Sequence, residues 1–358
     1  MISTLVFYNL LLLILIALNY NIRWHRCLSF IILLLVSGLR FDIGNDYQIQ
    51  AQIWDSTAEL FNLGYDLKSI IVLKAKEPIS LLLIYIFKTF DHPSKVVFFV
   101  YTLIQLFFIY KTFKYNNCFR EGIFIYFTLL FIFYTWDWTR QGVAMSIFLY
   151  SYRYIDTRQP IKYFICIITA SLFHYSSLVL IPFYFVNRIS INRYMLISIV
   201  VFFLILSYSG LLSDLPSIII NLGFYDSYTN SLYSNQIKSD FLIILFKSII
   251  SIVFIYSIPK KNHSLINIIF IGSLVYIISS QNLLLERISC YFSIYQTLAF
   301  TYIVKNKSKI IYLLSVCVFL LFFNFSIFNI GGTRGAVPYD FIFSENGIHN
   351  IYRERKFL

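Results

Sequence analysis

Long apolar runs recur from one end of this 358-residue chain to the other, separated by short basic linkers, and that alternation leaves few folds open. Hydrocarbon offers no partner to a backbone N–H or C=O, so such runs must close their own hydrogen bonds as helices. With 59% hydrophobic and only 13% charged residues and a mean hydropathy of +0.73, a water-soluble globule is excluded. The chain reads as an all-α polytopic membrane protein.

The runs fall at 3–20, 27–39, 79–90, 96–112, 121–135, 140–155, 161–173, 176–187, 194–212, 240–258, 264–282, 286–304 and 308–330, which predicts about 12 transmembrane helices in a single integral domain, 1–358. A net charge of +12 in a soluble domain would point to nucleic acid. Here the basic residues sit in linkers 23–26, 111–120, 153–162, 188–193, 258–263 and 305–309, with only Glu121 and Asp156 beside them, the pattern of cytoplasmic loops. The charge therefore records topology, and no nucleic acid partner is expected. Arg23, His25 and Arg26 follow the first run instead of preceding it, the reverse of a secretory signal, so both termini are expected on the outer side. The five cysteines imply no disulfide framework.

The outward connections are then 40–78, 136–140, the break near His174, 210–239, 282–287 and the tail 331–358. Run 79–90, bracketed by Pro78 and Asp91-His92-Pro93, rises only ~18 Å, short of a hydrocarbon core of ~30 Å. It is expected to be re-entrant or interfacial, beside a cavity on the outer side. Within the first outer loop Tyr47, Ala51, Trp54, Ala58 and Phe61 share one helical face, which predicts an amphipathic helix over 47–61.

Once the topological charges are set aside, Arg40, Asp42, Asp46, Glu77, Arg140, His174, Glu286 and Arg287 all fall on the outer side, at helix ends or just inside them. Ionisable groups near the bilayer are costly and tend to mark function. Each also has a structural reading: Asp46 as the N-cap of its helix, Arg140 paired with Asp137, His174 as a satisfied polar group, Glu77 as a helix-start carboxylate. Asp42 and Asp46 give at most a weak divalent-cation spacing, and no His/Cys ligand cluster, phosphate loop or dinucleotide fingerprint occurs, so no metal or cofactor is expected. Three dispersed arginines suit a diphosphate, which guanidinium grips bidentately. A carboxylate beside it suits deprotonation of a sugar hydroxyl, and arginines would stabilise the leaving lipid diphosphate.

Arg40-Phe41-Asp42-Ile43-Gly44-Asn45-Asp46-Tyr47, Glu77-Pro78, Thr139-Arg140-Gln141-Gly142-Val143-Ala144, the stretch from Ala170 to His174-Tyr175-Ser176, and Pro338-Tyr339 resemble, in order, the EpsG-like family of bacterial surface-polysaccharide polymerases, which includes Wzy-type O-antigen polymerases. Asn45 stands where relatives often have Thr. The resemblance implies a GT-C-like helical bundle in the bacterial inner membrane, a glycosyltransferase joining undecaprenyl-diphosphate-linked repeat units on the periplasmic face. It implies Asp46 or Asp42 as base, Arg40, Arg140 and Arg287 as diphosphate clamp, His174 as a hydrogen-bonding orienter, and Tyr47, Glu77, Gln141 and Tyr339 as further substrate contacts. Expected partners are the lipid-linked glycan, membrane lipid and a chain-length regulator protein. A flippase for lipid-linked oligosaccharide and a membrane O-acyltransferase stand as alternatives.

Overall fold

A computed structural model describes residues 2–19, 23–66, 68–70, 77–186, 189–212, 241–279, 283–306, 309–329 and 335–352. Among the described residues the chain is helical without strands, apart from an isolated antiparallel bridge between Arg40 and Phe341. It packs as two compact units, one of residues 1–154, 159–181 and 313–358, the other of 155–158 and 182–312.

In the first unit, α1 (Ile2–Leu18) and α2 (Arg23–Gly38) precede the predicted amphipathic helix, which forms as α3 (Tyr47–Asn62). Its predicted face is the buried one: Tyr47, Ala51, Trp54, Ala58 and Phe61 all lie in the core. After α4 (Pro78–Phe87) comes α5 (Pro93–Asn116), and the two hold α3 between them. Tyr47 stacks on Phe98 at 4.3 Å, Trp54 on Tyr101 at 5.5 Å, and Phe61 meets Tyr85 at 5.2 Å. Asp55 of α3 also caps α5, accepting from the Ser94 amide at 2.8 Å and its hydroxyl at 2.9 Å. A helix start in an apolar setting needs such acceptors, because its first N–H groups have none within the helix.

At ten residues, α4 rises about 15 Å and is too short to cross a bilayer alone. Its end touches the end of α3, where Asn62 donates to Lys88 O at 3.0 Å, and its start lies beside Tyr101, which shares a 2.7 Å hydrogen bond with Ser80. Glu77 therefore sits about two turns along α5 from Pro93.

Run 121–135 does not form one helix. It breaks into α6 (Phe119–Thr128) and α7 (Phe131–Asp137), bent by 63°, with Leu130 left-handed at φ 65°. Tyr126 bridges the bend by accepting from Gln105 at 2.6 Å and bonding to Thr135 at 2.9 Å. Next come α8 (Thr139–Asp156) and α9 (Pro160–Phe173), then a 3-10 turn at Tyr175–Leu180 where a regular helix over 176–187 was expected. The 3-10 turn is followed by α10 (Phe183–Val186), a single short turn.

The second unit contains α11 (Arg193–Tyr208), α12 (Phe241–Ser257), α13 (His263–Ser279), α14 (Leu283–Ser293) and α15 (Gln296–Asn306). Run 286–304 is thus two helices, not one. Gly272 permits close packing of α13 on α14, because a Cβ there would lie 2.6 Å from Phe292 Cβ. The long α16 (Lys309–Phe328) leads to the tail, which carries α17 (Glu345–Ile348). The predicted loop 210–239 lies almost entirely outside the described residues.

Three segments, Pro93–Asn116, Lys260–Ser279 and Lys309–Phe328, are long and apolar enough to cross a membrane, and the bent pair α6 and α7 makes a fourth. The other apolar helices are shorter, which does not reproduce twelve full-length spans.

Trp54 and Trp24 give a test of this packing. Trp54→Ala opens a cavity against Phe98 and Tyr101 and is expected to cost roughly 3–5 kcal/mol. Trp24→Ala, at an indole 82% exposed, is expected to change stability by less than about 0.5 kcal/mol. Thermal unfolding of both variants in one detergent reads the contrast.

Candidate functional site

Glu77 is the centre of an ionic cluster assembled from three separate stretches of the first unit. Pro78 at the first position of α4 fixes the chain direction, and Glu77 precedes it in extended conformation without capping its own helix. Its carboxylate instead reaches outward to two partners. Oε2 accepts from Arg140 Nη1 at 2.5 Å, and Oε1 lies 3.4 Å from His174 Nδ1. The carboxylate is 8% exposed, while the arginine and histidine side chains are 32% and 23% exposed. The anion is thus sealed in, and its two partners remain open to a ligand.

Local sequence explains the convergence. Arg140 is the second residue of α8, where the helix dipole already favours negative charge. His174 ends α9 in extended backbone, φ −158°, and the 3-10 turn begins after it. Burial would raise the Glu77 carboxyl, but the His174 imidazole and the Arg140 guanidinium outweigh it and hold that group below the ordinary carboxylate range. Arg140 therefore pairs with Glu77 and not with Asp137, the partner its sequence neighbourhood offers.

Arg40 occupies a different kind of place. At 1% exposure its guanidinium donates to Ser37 O, to Trp136 O at 3.2 Å, to Thr139 Oγ1 at 3.0 Å and to Thr102 Oγ1 at 3.4 Å. The rings of Phe98, Trp136 and Tyr47 surround it, with centroids 5.3, 5.9 and 6.0 Å away. Burial lowers it to about 10, against the pull of Tyr47, Tyr339, Tyr126 and Asp137, so it stays charged at neutral pH. This arginine is spent on joining segments, and its side chain is withdrawn from the surface.

The loop after Arg40 is locked to the turn before α8. Gly44 has φ 104°, and a Cβ there would fall 2.7 Å from Trp136 O and 2.9 Å from Asp137 Cα, so only glycine fits. Asp42 is fully buried at φ 51° and accepts from Gln48 at 3.0 Å, which keeps its carboxylate from solvent. Asp46 is half-buried at the N-cap position of α3 but makes no side-chain capping bond. Its backbone N–H donates to Asp137 Oδ1 at 3.0 Å. Tyr47 is buried, and its hydroxyl has no hydrogen-bond partner among the described residues.

The C-terminal segment closes over this loop. Phe41 N donates to Asp340 O and Ile342 N to Leu39 O, each at 3.0 Å. Tyr339 donates to Val36 O at 2.6 Å, stacks on Phe7 at 4.7 Å and packs edge-on to Tyr8. It acts as an anchor of the tail. Gln141 is buried one residue past Arg140, and Gly142 lets α8 approach Thr135 and Gln105, where a Cβ would meet them at 2.9 and 3.2 Å.

The structure therefore brings Glu77, Arg140 and His174 together, and places Arg40, Asp42, Asp46, Tyr47, Gln141 and Tyr339 in the same unit. Arg287 belongs to the second unit, on α14 next to Glu286, which lies 3.7 Å from Lys247. Sequence reading offered Asp137 only as a partner for Arg140 and did not single out Ser177. Asp137 serves α3, a role signalled only by its place in Trp136-Asp137-Trp138-Thr139. Ser177, fully buried three residues beyond His174, carries a hydroxyl without a partner among the described residues. Among the described residues no group of three His, Cys, Asp or Glu side chains is arranged to hold a metal ion.

Fold and site together define a helical membrane protein with a half-open arginine and histidine fixed on one sealed carboxylate. A model of the EpsG family matches residues 23–341, and the chain belongs to that family. The family is associated with exopolysaccharide biosynthesis, which makes this a membrane protein related to polysaccharide synthesis. No curated protein and no solved structure matches the chain.

Because the folded Glu77 carboxyl is held below its ordinary value of 4.5, its contribution is complete above about pH 5.5 and is lost as pH falls through the lowered value. Thermal stability of the wild type should therefore fall toward that of Glu77→Gln as pH is taken below 4.5. At pH 7 the variant is expected to be less stable by about 1–3 kcal/mol, discounted for the exposure of Arg140.

Proposed function

We propose that this chain is a glycosyltransferase that polymerises lipid-diphosphate-linked glycan repeat units. The observation that carries the reading is the sealed Glu77 carboxylate holding one half-exposed arginine and one half-exposed histidine in a membrane protein of the EpsG family. The reaction needs a cation for the departing lipid diphosphate and a base for the incoming hydroxyl, and these two residues supply both.

In this reading an acceptor hydroxyl oxygen attacks the anomeric carbon of the donor sugar. The new C–O bond forms as the bond from that carbon to the diphosphate oxygen breaks, and the diphosphate leaves with the electron pair. Arg140, at the N-terminus of α8, takes up the charge on the leaving group. With Nδ1 turned toward Glu77, His174 keeps Nε2 as the atom that accepts the hydroxyl proton, the logic of a carboxylate-oriented imidazole. Asp46 holds the acceptor sugar by its hydroxyls. Asp42 and Arg40 are assigned no contact with substrate, because both are buried. The proposal extends to a GT-C-like bundle of about twelve crossings in the bacterial inner membrane, both termini periplasmic. Chemistry on the periplasmic face, undecaprenyl diphosphate as the carrier, an O-antigen or exopolysaccharide product and a chain-length regulator as partner complete it.

Purified protein incubated with a defined undecaprenyl-diphosphate repeat unit is expected to give a ladder of lengthening products, unchanged by chelator. Arg140→Ala should lower the rate by ~10²–10³, with partial recovery in Arg140→Lys, and His174→Ala by ~10²–10⁴. An imidazole base predicts a rate that falls at a higher pH than a carboxylate base does. Single-repeat substrate left unchanged by the wild-type protein would refute the activity.

A further inference from the structure

The turn Trp136-Asp137-Trp138-Thr139 makes three kinds of contact with the loop 40–46. Arg40 donates to Trp136 O and Thr139 Oγ1, Gly44 presses on Trp136 O and Asp137 Cα, and Asp137 Oδ1 receives the Asp46 N–H. The last contact is the unusual one. A helix start is normally capped by the side chain at its own N-cap, and an aspartate there is well suited to the task. Asp46 occupies that position, yet its backbone is already helical at φ −83° and ψ −3° and its side chain makes no capping hydrogen bond to α3. A second aspartate, 4% exposed and 91 residues away in sequence, is bonded at the helix start instead.

We infer that Asp137 is a positioning residue for the acceptor side of the site: by binding the Asp46 amide it fixes the start of α3, and with it the place of Asp46. The turn continues directly into Thr139 and Arg140, so the same short stretch sets the acceptor-binding carboxylate and the diphosphate-binding guanidinium. Polymerisation requires these two groups in a fixed relation, because a misplaced acceptor hydroxyl misses the anomeric carbon. Asp137 itself touches no substrate in this account. Its carboxylate also lies near the buried Arg40 charge, so removing the acceptor and removing the charge are separate perturbations.

This inference rests on the proposed polymerase reading, and the test keeps the two apart. Asp137→Asn retains an Oδ1 acceptor and loses the charge; Asp137→Ala loses both. Hydrogen–deuterium exchange of purified protein reads the amides of residues 46–50 without needing activity. Asp137→Ala is expected to speed exchange there by about tenfold or more, the scale of one lost hydrogen bond, while Asp137→Asn stays within about threefold of wild type. In the repeat-unit assay Asp137→Ala should lower kcat ~10²-fold, since loss of orientation carries penalties of this size, and leave KM for the donor nearly unchanged; Asp137→Asn should recover most of the rate.

Unaltered exchange at 46–50 in Asp137→Ala would overturn the inference, as would a faster exchange in Asp137→Asn equal to that of the alanine variant. Should Asp137→Ala fail to fold, the asparagine variant decides alone: fast exchange at 46–50 in a folded protein refutes the role, and wild-type exchange with most of the rate kept upholds it. A wild-type protein that makes no polymer while exchange follows the expected pattern refutes the polymerase reading and leaves the positioning of α3 intact.

Discussion

A guanidinium enclosed by a helical bundle must find its partners within it, and Arg40 organises its surroundings by engaging both Nη groups, while Nε has no hydrogen-bond partner among the described residues. Its partners come from the end of α2, from α5 and from the turn before α8. At 1% exposure Arg40 has little access to bulk solvent, so each bond is costly to leave unmade. Satisfying one buried cation thus fixes the distance between the first motif and the start of α8. The groups that face solvent inherit that geometry.

Two arginines of similar sequence appearance divide the work by burial. Arg40 has its Nη groups saturated by carbonyls and hydroxyls, with aromatic rings around it. Among the described residues Arg140 makes a single ion pair, and it keeps about a third of its side chain accessible. The pair with Glu77 holds the guanidinium in place without consuming its remaining donors, the state expected of a group that must meet an anion from outside. His174 is treated alike, one nitrogen facing Glu77 and part of the ring open. One carboxylate positions both, so removing it disturbs both.

The tail does comparable service for the first motif. The pairing of Phe41 with Asp340 and of Leu39 with Ile342, the Tyr8 hydroxyl on Ala336 O at 2.7 Å, and the Tyr352 ring on Phe41 at 5.5 Å draw the end of the chain over its beginning. Lys95, reaching Gly347 O at 2.8 Å, adds the start of α5 to the same assembly. Tyr339, a substrate contact by the resemblance, is engaged in this packing.

Periodicity and composition by themselves determined that the chain is helical and built for a membrane, that 47–61 forms an amphipathic helix with Tyr47, Ala51, Trp54, Ala58 and Phe61 inward, and that the segment after Pro78 is too short to span. These follow from local physics: hydrocarbon forbids unpaired backbone, and a helix repeats every 3.6 residues. The motif residues were legible as a set, because charge in an apolar chain is conspicuous. Their division was not. Whether an arginine is sealed or open, whether Arg140 turns to Asp137 or to Glu77, and whether Asp46 caps its own helix depend on which segments meet, and those partners lie up to 99 residues apart. The helix breaks at Leu130 and near Ile294 escaped for the same reason, since an apolar run looks continuous until neighbouring helices decide where it bends. Tertiary structure settled these points because a buried hydrogen bond is chosen by what lies within reach in space, and sequence spacing does not encode that distance.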